Sequence, residues 1–164
     1  MKLSAPEPIA THHEVEEFDS GVASLDEWLK RRAMQNQVNG ASRTFVTCQI
    51  NKVVGYYALA SSAVVPAQAP GRFKRNMPDP IPVVVLGRLA VHKSHQGQGL
   101  GRALFQDAAR RVLYAATAIG IRGILVHALN PAAKAFYLQL GLTESPLDPM
   151  MLMVTLAALQ AALD

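Results

Sequence analysis

Between Leu86 and Gly101 the chain reads Leu-Gly-Arg-Leu-Ala-Val-His-Lys-Ser-His-Gln-Gly-Gln-Gly-Leu-Gly. Gly97, Gly99 and Gly101 fall close together, and no acidic residue stands between Leu86 and Arg102. Glycines of this spacing let an anion approach the backbone. The free N–H groups and dipole of a following helix favour negative charge at the same place. The chemistry of such a turn is phosphate binding. Two nucleotide motifs are excluded. A Walker A loop ends in Gly-Lys-Ser/Thr, whereas Gly101 precedes Arg102 and Ala103. The dinucleotide fingerprint needs a wider third spacing and a later acid. What remains is Gln96-x-x-Gly99-x-Gly101, and a glycine turn without a ligand stays open beside the phosphate reading.

The other reactive side chains offer less. Cys48 stands in a strand pattern with no base near it, which reads as a buried inert thiol. His92-x-x-His95 lacks a third ligand nearby, so no metal is expected. His127 falls in an apolar run and reads as a core histidine, and His12-His13 as surface loop. The loop Gly71-Arg-Phe-Lys-Arg75 sets three cations around one aromatic. It can hold a phosphate backbone and stack on a base, or it can pack Phe73 and expose its charges.

The elements that must position these groups follow from the pattern. Val83 to Leu86 is a β-branched apolar run, and after the glycine turn a helical stripe of Leu100, Leu104, Ala108, Val112, Ala115 and Ile119 runs to Gly120. Gly123 to Ala128 is too apolar for a solvated face and predicts a buried parallel strand. Strand, helix and strand make a βαβ crossover with its crevice beyond the strand ends. Asn130 and Pro131 suit the cap and first position of a second helix, which carries Tyr137 about two turns in and ends at Gly141.

Upstream, Ser24-Leu-Asp-Glu27 predicts a capping box, with Leu25, Trp28, Leu29 and Ala33 on one face of a helix ending near Asn39-Gly40. Trp28 reads as a core anchor. Thr44–Ile50 and Val53–Ala60 predict an antiparallel hairpin. Met151–Thr155 is a closing strand, and Leu156–Leu163 a short helix.

Composition places all of this in one α/β domain, residues 1–164, with half of the residues hydrophobic. One cysteine allows no internal disulfide framework. The N-terminus has no apolar segment of a signal peptide, and the apolar tail is too short for a membrane span. A cytoplasmic protein is expected. Residues 41–147 carry twelve basic and three acidic side chains, a local charge of +9. Such a field attracts polyanions, and a solvated basic surface remains the other reading.

Several segments together resemble the GNAT acetyltransferase superfamily: the Gln96–Gly101 signature after a strand, and Asn130 followed by a helix bearing Tyr137. Phe18–Lys30, Gly40–Phe45, Ala69–Pro80 and Val126–Asn130 further resemble the GNAT toxins of type II toxin–antitoxin modules, the TacT-like group. The resemblance covers nearly the whole chain. It implies a mixed central sheet splayed between two parallel strands and flanked by helices. It implies acetyl-CoA as co-substrate, with Leu89, Ala90 and Val91 pairing with the pantetheine arm. Gln96, Gly97, Gln98, Gly99, Leu100, Gly101 and Arg102 would form the pyrophosphate cradle, and Asn130 would touch the coenzyme. Tyr137 would be the catalytic acid. Arg43, Arg72, Lys74, Arg75, Arg88 and Lys93 would hold aminoacyl-tRNA. A ribbon-helix-helix antitoxin would be the partner, and a homodimer the assembly. His92 departs from relatives that place an acid there.

No carboxylate stands out as a base. A lysine amine, pKa about 10.4, is neutral about once in 2,500 at pH 7, whereas an α-amine of pKa about 7.7–8.0 is neutral roughly a tenth of the time. This favours an α-amine acceptor. Two other readings stay open: a GNAT enzyme acting on a small amine or protein N-terminus, and a non-catalytic domain that binds acetyl-CoA or RNA.

Overall fold

The computed structural model describes residues 2–163. In chain order the elements are β1 (Glu7–Pro8), α1 (Ala23–Arg31), α2 (Ala33–Asn39), β2 (Arg43–Gln49), β3 (Lys52–Val64), α3 (Gly71–Lys74), β4 (Ile81–Val91), α4 (Leu100–Ala115), β5 (Gly123–His127), α5 (Pro131–Gln139), β6 (Thr143–Glu144), β7 (Met151–Thr155) and α6 (Leu156–Leu163). Parallel and antiparallel strands occur together, so the fold is mixed α/β. By internal contacts the chain forms two units, residues 1–60 with 87–108 and residues 61–86 with 109–164.

In the first unit β1, β2 and β3 pair antiparallel, with Val46 opposite Tyr56 and a bulge between Thr47 and Cys48. Alternation sends Val46, Cys48 and Tyr56 to one face, where they meet Leu25, Leu29 and Ala33 of the helices and Phe18. The spacing of Leu25, Leu29 and Ala33 explains why α1 and α2 lie down on this face. Arg32 opens to φ −118° between the two helices, so the one helix expected is two. Gly40, at φ +83°, ends α2 as expected. The expected capping box does not form. Asp26 instead accepts from the Ser20 amide (3.0 Å) and the Ser20 hydroxyl (2.7 Å), so α1 begins at Ala23 with Val22 at its cap. Gly55 admits α4: a Cβ there would stand 3.0 Å from Leu104.

In the second unit β4 and β5 run parallel, with Val84 opposite Ile124 and Val85 opposite Leu125. β7 pairs antiparallel with β5 over its whole length, and β6 pairs with β7. Phe73, Ile81, Val83, Leu125 and Met153 form the core of this unit. Gly123 is required by contact, since a Cβ would lie 2.0 Å from the Val154 carbonyl. Met151–Thr155 and Leu156–Leu163 take the expected forms.

Three expectations fail for local reasons. The long helix stops at Ala115, because the Thr117 hydroxyl takes the Tyr114 carbonyl (2.7 Å), and Ile119 is left exposed. His127 stands exposed at the end of β5 rather than in the core. His13 is buried, not surface: its Nδ1 accepts from the Ala10 amide (2.9 Å), which puts the proton on Nε2, donated to Glu7 (2.7 Å). Glu7, His12 and His13 bring their ligand atoms within 4.8 Å of one another, but that Nε2 proton occupies the position a metal would need. No helix among the described residues is long and apolar enough to cross a membrane.

Cys48 is buried, and burial pushes its thiol up to about 11. At pH 8 the thiolate is then about one part in a thousand. A thiol reagent should label native protein at least about 100-fold more slowly than protein unfolded in denaturant, read by mass. Equal rates would show that Cys48 is accessible.

Candidate active site

The glycine turn is built in the first unit. β4 ends at Val91, and Lys93–His95 form a short 3₁₀ turn capped by His92, whose Nδ1 accepts from the Ser94 amide (3.1 Å). Gly97 and Gly99 follow at φ +76° and +83°. Side chains rarely adopt that conformation, so the need for glycine here is conformational. A Cβ at either would meet nothing within 4 Å. The first helical bond of α4 runs from the Ala103 amide to the Gly99 carbonyl (3.0 Å). The amides of Leu100, Gly101 and Arg102 therefore precede the helix ladder, with a dipole that favours an anion. These groups fit a pyrophosphate.

Gln96 does something the sequence did not reveal. Its Nε2 donates to the Val91 carbonyl (2.8 Å) and to the Ser20 carbonyl (2.8 Å). Both amide protons are spent inside the protein. The side chain clamps the turn to the end of β4 and to the segment before α1. Three more contacts lace the same segments. The Lys93 amide donates to the Asp19 carbonyl (2.9 Å), Lys93 Nζ pairs with Asp19 (3.1 Å), and His92 Nε2 donates to the Glu17 carbonyl (3.2 Å). The Lys93 ammonium, followed by the Gly21 amide, holds the Asp19 carboxyl below the usual carboxylate range.

Of the strand residues, Ala90 is buried in the core, while Leu89 and Val91 are half-buried. Arg88 lies with its Cζ 5.3 Å from the Trp28 ring centroid. Trp28 itself stacks on Tyr56, 6.0 Å between centroids and 8° between planes, so it is both core anchor and platform. Arg43 is exposed and donates to the Gln37 carbonyl (2.8 Å). A cavity of about 680 Å³ in this unit is lined by Glu14, Glu16, Glu17, Lys52 and His92. Its three carboxylates suit no phosphate.

The second unit holds the other candidates. Asn130 caps α5 through its Oδ1, which accepts from the Ala133 amide (2.8 Å), and Pro131 takes the first position as expected. Tyr137, at the end of the second turn, is 7% exposed with Phe136 edge-on at 5.1 Å. Burial alone pushes its phenol above the usual tyrosine range. It is a neutral hydroxyl at physiological pH, the state a proton donor needs.

Arg72, Lys74 and Arg75 are exposed. Phe73 between them is 2% exposed and cannot stack on a base. The loop packs its aromatic and presents its cations. It is held by Arg122, which donates to the carbonyls of Phe73 (2.7 Å) and Arg72 (2.8 Å) at the end of α3. Arg122 thus leaves the basic field to serve as a cap. Lys134 leaves it too, pairing with Glu144 at 2.5 Å.

A family model described as an acetyltransferase (GNAT) domain matches residues 40–144. A tRNA-acetylating toxin of Mycobacterium tuberculosis is 53% identical over 151 residues, 92% of this chain and 91% of that protein. The structure of AtaT complexed with acetyl-methionyl-tRNAfMet superposes with a TM-score of 0.91 at 30% identity, covering 99% of this chain and all of that one. A tyrosine-to-phenylalanine mutant of AtaT, bound to acetyl-CoA and the C-terminus of the antitoxin AtaR, has a TM-score of 0.84 at 29% identity, covering 98% and 97% of the two chains. The glycine turn at the end of β4, the Asn130-capped helix bearing Tyr137 and the family match over nearly two thirds of the sequence have one reading: the chain belongs to the GNAT acetyltransferase family.

Proposed function

We propose that the protein transfers the acetyl group of acetyl-CoA to the α-amino group of the amino acid on charged tRNA. This blocks translation, so the protein is a toxin. The observation that carries the reading is the 53% identity, over nearly the whole chain, to a tRNA-acetylating toxin. Residues 1–164 act as one acetyltransferase domain, because the family model spans segments of both units. An antitoxin of the ribbon-helix-helix kind neutralises it, by analogy with the AtaT–AtaR complex. The protein works in the cytoplasm, where charged tRNA is, and as a homodimer.

Acetyl-CoA supplies the thioester. The backbone of Leu89, Ala90 and Val91 takes the pantetheine arm. The amides of Gly97 to Arg102 take the pyrophosphate, and Arg102 adds a charge. Asn130 contributes at the coenzyme's thioester end. The neutral α-amine attacks the thioester carbonyl, forming the C–N bond and a tetrahedral oxyanion. A backbone N–H of the Leu89–Val91 segment meets that oxyanion. The C–S bond then breaks, the phenol of Tyr137 protonates the departing sulfur, the amine's extra proton leaves to water, and the phenolate regains a proton from water. No carboxylate is required, since an α-amine loses its proton near neutrality. Arg43, Arg72, Lys74, Arg75 and Arg88 hold the RNA, while Lys93, expected among them, is paired with Asp19.

With charged tRNA and labelled acetyl-CoA, Tyr137→Phe should lower kcat by about 10²–10³ with little change in KM, in line with the loss of one general acid. An unchanged kcat would remove Tyr137 from the chemistry. In the wild type, the rate should rise with pH through the amine's pKa and should not fall below about pH 10, because burial raises the phenol above its ordinary value. A fall near pH 8 would contradict the acid role. Gln96→Ala should raise the KM for acetyl-CoA about tenfold, with kcat within about threefold, because the amide positions the turn rather than touching the reaction. Gln96→Glu should behave the same way, since a carboxylate cannot donate to two carbonyls. Full activity in both would dismiss the clamp.

A further inference from the structure

The strands of the first unit have two faces. Val46, Cys48 and Tyr56 turn to α1 and α2, so Phe45, Thr47, Gly55 and Tyr57, which alternate with them, turn to the other. α4 lies on that second face. A Cβ at Gly55 would stand 3.0 Å from Leu104 Cδ1 and 3.4 Å from Leu100 Cδ2, so the first two turns of the helix cross β3 at its glycine. Further along β3, the Tyr57 hydroxyl donates to Asp107 Oδ2 (2.5 Å). Asp107 follows Leu100 by about two helical turns, so both project from the same side of α4.

These contacts differ in kind. Leu104 and Ala108 are apolar and fully buried. Apolar burial is non-directional. It holds a helix against a sheet but gives little resistance to a slide along it or a roll about the helix axis. A hydrogen bond is directional and weakens steeply when its angle is lost. Here the donor is fixed, since Tyr57 is fully buried and its ring stacks on Phe45, the residue opposite on β2, with 5.2 Å between centroids and 25° between planes. The bond from Tyr57 to Asp107 therefore ties α4 to the sheet at one fixed point.

That point lies about 10 Å along the helix from Leu100. The amides of Leu100, Gly101 and Arg102 begin the same helix, and over so short a span a helix moves as a rigid body. A slide at Asp107 carries those amides with it. We propose that Tyr57 and Asp107 are positioning residues for acetyl-CoA: their hydrogen bond sets the axial position of α4, and so places the amides of the pyrophosphate cradle against the end of β4. This rests on the pyrophosphate reading of the cradle given above, and not on the identity of the acceptor. Gln96 clamps the turn from the strand side, and Tyr57 with Asp107 holds it from the helix side.

The test measures Kd for acetyl-CoA and for acetyl-pantetheine, which lacks the pyrophosphate, by calorimetry, with Tm beside them. Tyr57→Phe and Asp107→Leu should each raise the Kd for acetyl-CoA about fivefold and leave that for acetyl-pantetheine within about twofold, as expected of coupling between separate sites. Asp107→Asn, whose amide oxygen still accepts the hydroxyl, should stay within about twofold of wild type. Tyr57→Phe combined with Asp107→Leu should weaken binding no more than the worse single change, because both remove the same bond. Val46→Ala opens a cavity in the core on the opposite face, and should lower Tm with both Kd values unchanged. An unchanged Kd for acetyl-CoA in a Tyr57→Phe variant that is folded by near-UV circular dichroism overturns the proposal. So does an equal rise in Val46→Ala, because loss of stability alone then explains it. A wild type that binds acetyl-pantetheine as tightly as acetyl-CoA overturns the pyrophosphate reading, and the positioning role falls with it.

Discussion

Two hydrogen bonds from one amide hold the first unit in its working form. Gln96 joins the end of β4 to the lead of α1, and the glycine turn hangs between those anchors. Without them, Gly97 and Gly99 would be free to sample many conformations, and the entropy of ordering the turn would fall on ligand binding. With them, the amides before α4 are set before any phosphate arrives. The same lacing explains two other features. Asp26 turns back to Ser20 rather than leaving α1 to a Ser24 cap, which braces the segment that Gln96 grips. Lys93 spends its amide and its ammonium on Asp19.

The second unit uses the same economy of few, well-placed contacts. Asn130 and Pro131 start α5 in one step, fixing where Tyr137 comes round on its helix. Burial then sets the chemistry of that phenol, keeping it protonated. Arg122 ties the basic loop down through backbone carbonyls, so the loop keeps its shape while its own cations stay free of it. A charge counted in the sequence as part of a field is here a structural cap. Lys134 is another, paired with Glu144.

What was legible in the sequence is what periodicity and turn chemistry encode. The strands, the βαβ order, the Asn130 cap and the glycine turn follow from patterns that local physics enforces. The misses rest on particular side-chain pairings, some only three or six residues apart, rather than on periodicity. Ser20 meeting Asp26, His13 meeting Glu7 and the Gln96 clamp have no periodic signature. Phe73 lies between cations, where stacking on a base and packing in the loop are both open, and apolar neighbours from β4, β5 and β7 bury it. Trp28 reads as core, and the structure adds the cation above it. The end of α4 failed because the hydroxyl of Thr117 competed for a carbonyl.

The destination of the acetyl group separates an aminoacyl-tRNA acetyltransferase from every other acetyltransferase. Total charged tRNA would be incubated with the protein and acetyl-CoA, digested to nucleosides and analysed by mass spectrometry. The prediction is an N-acetyl-aminoacyl-adenosine, formed from charged tRNA and absent when the tRNA is first deacylated. An acetyl group on a nucleobase, on protein or on a small amine, with none on the aminoacyl end, would contradict it.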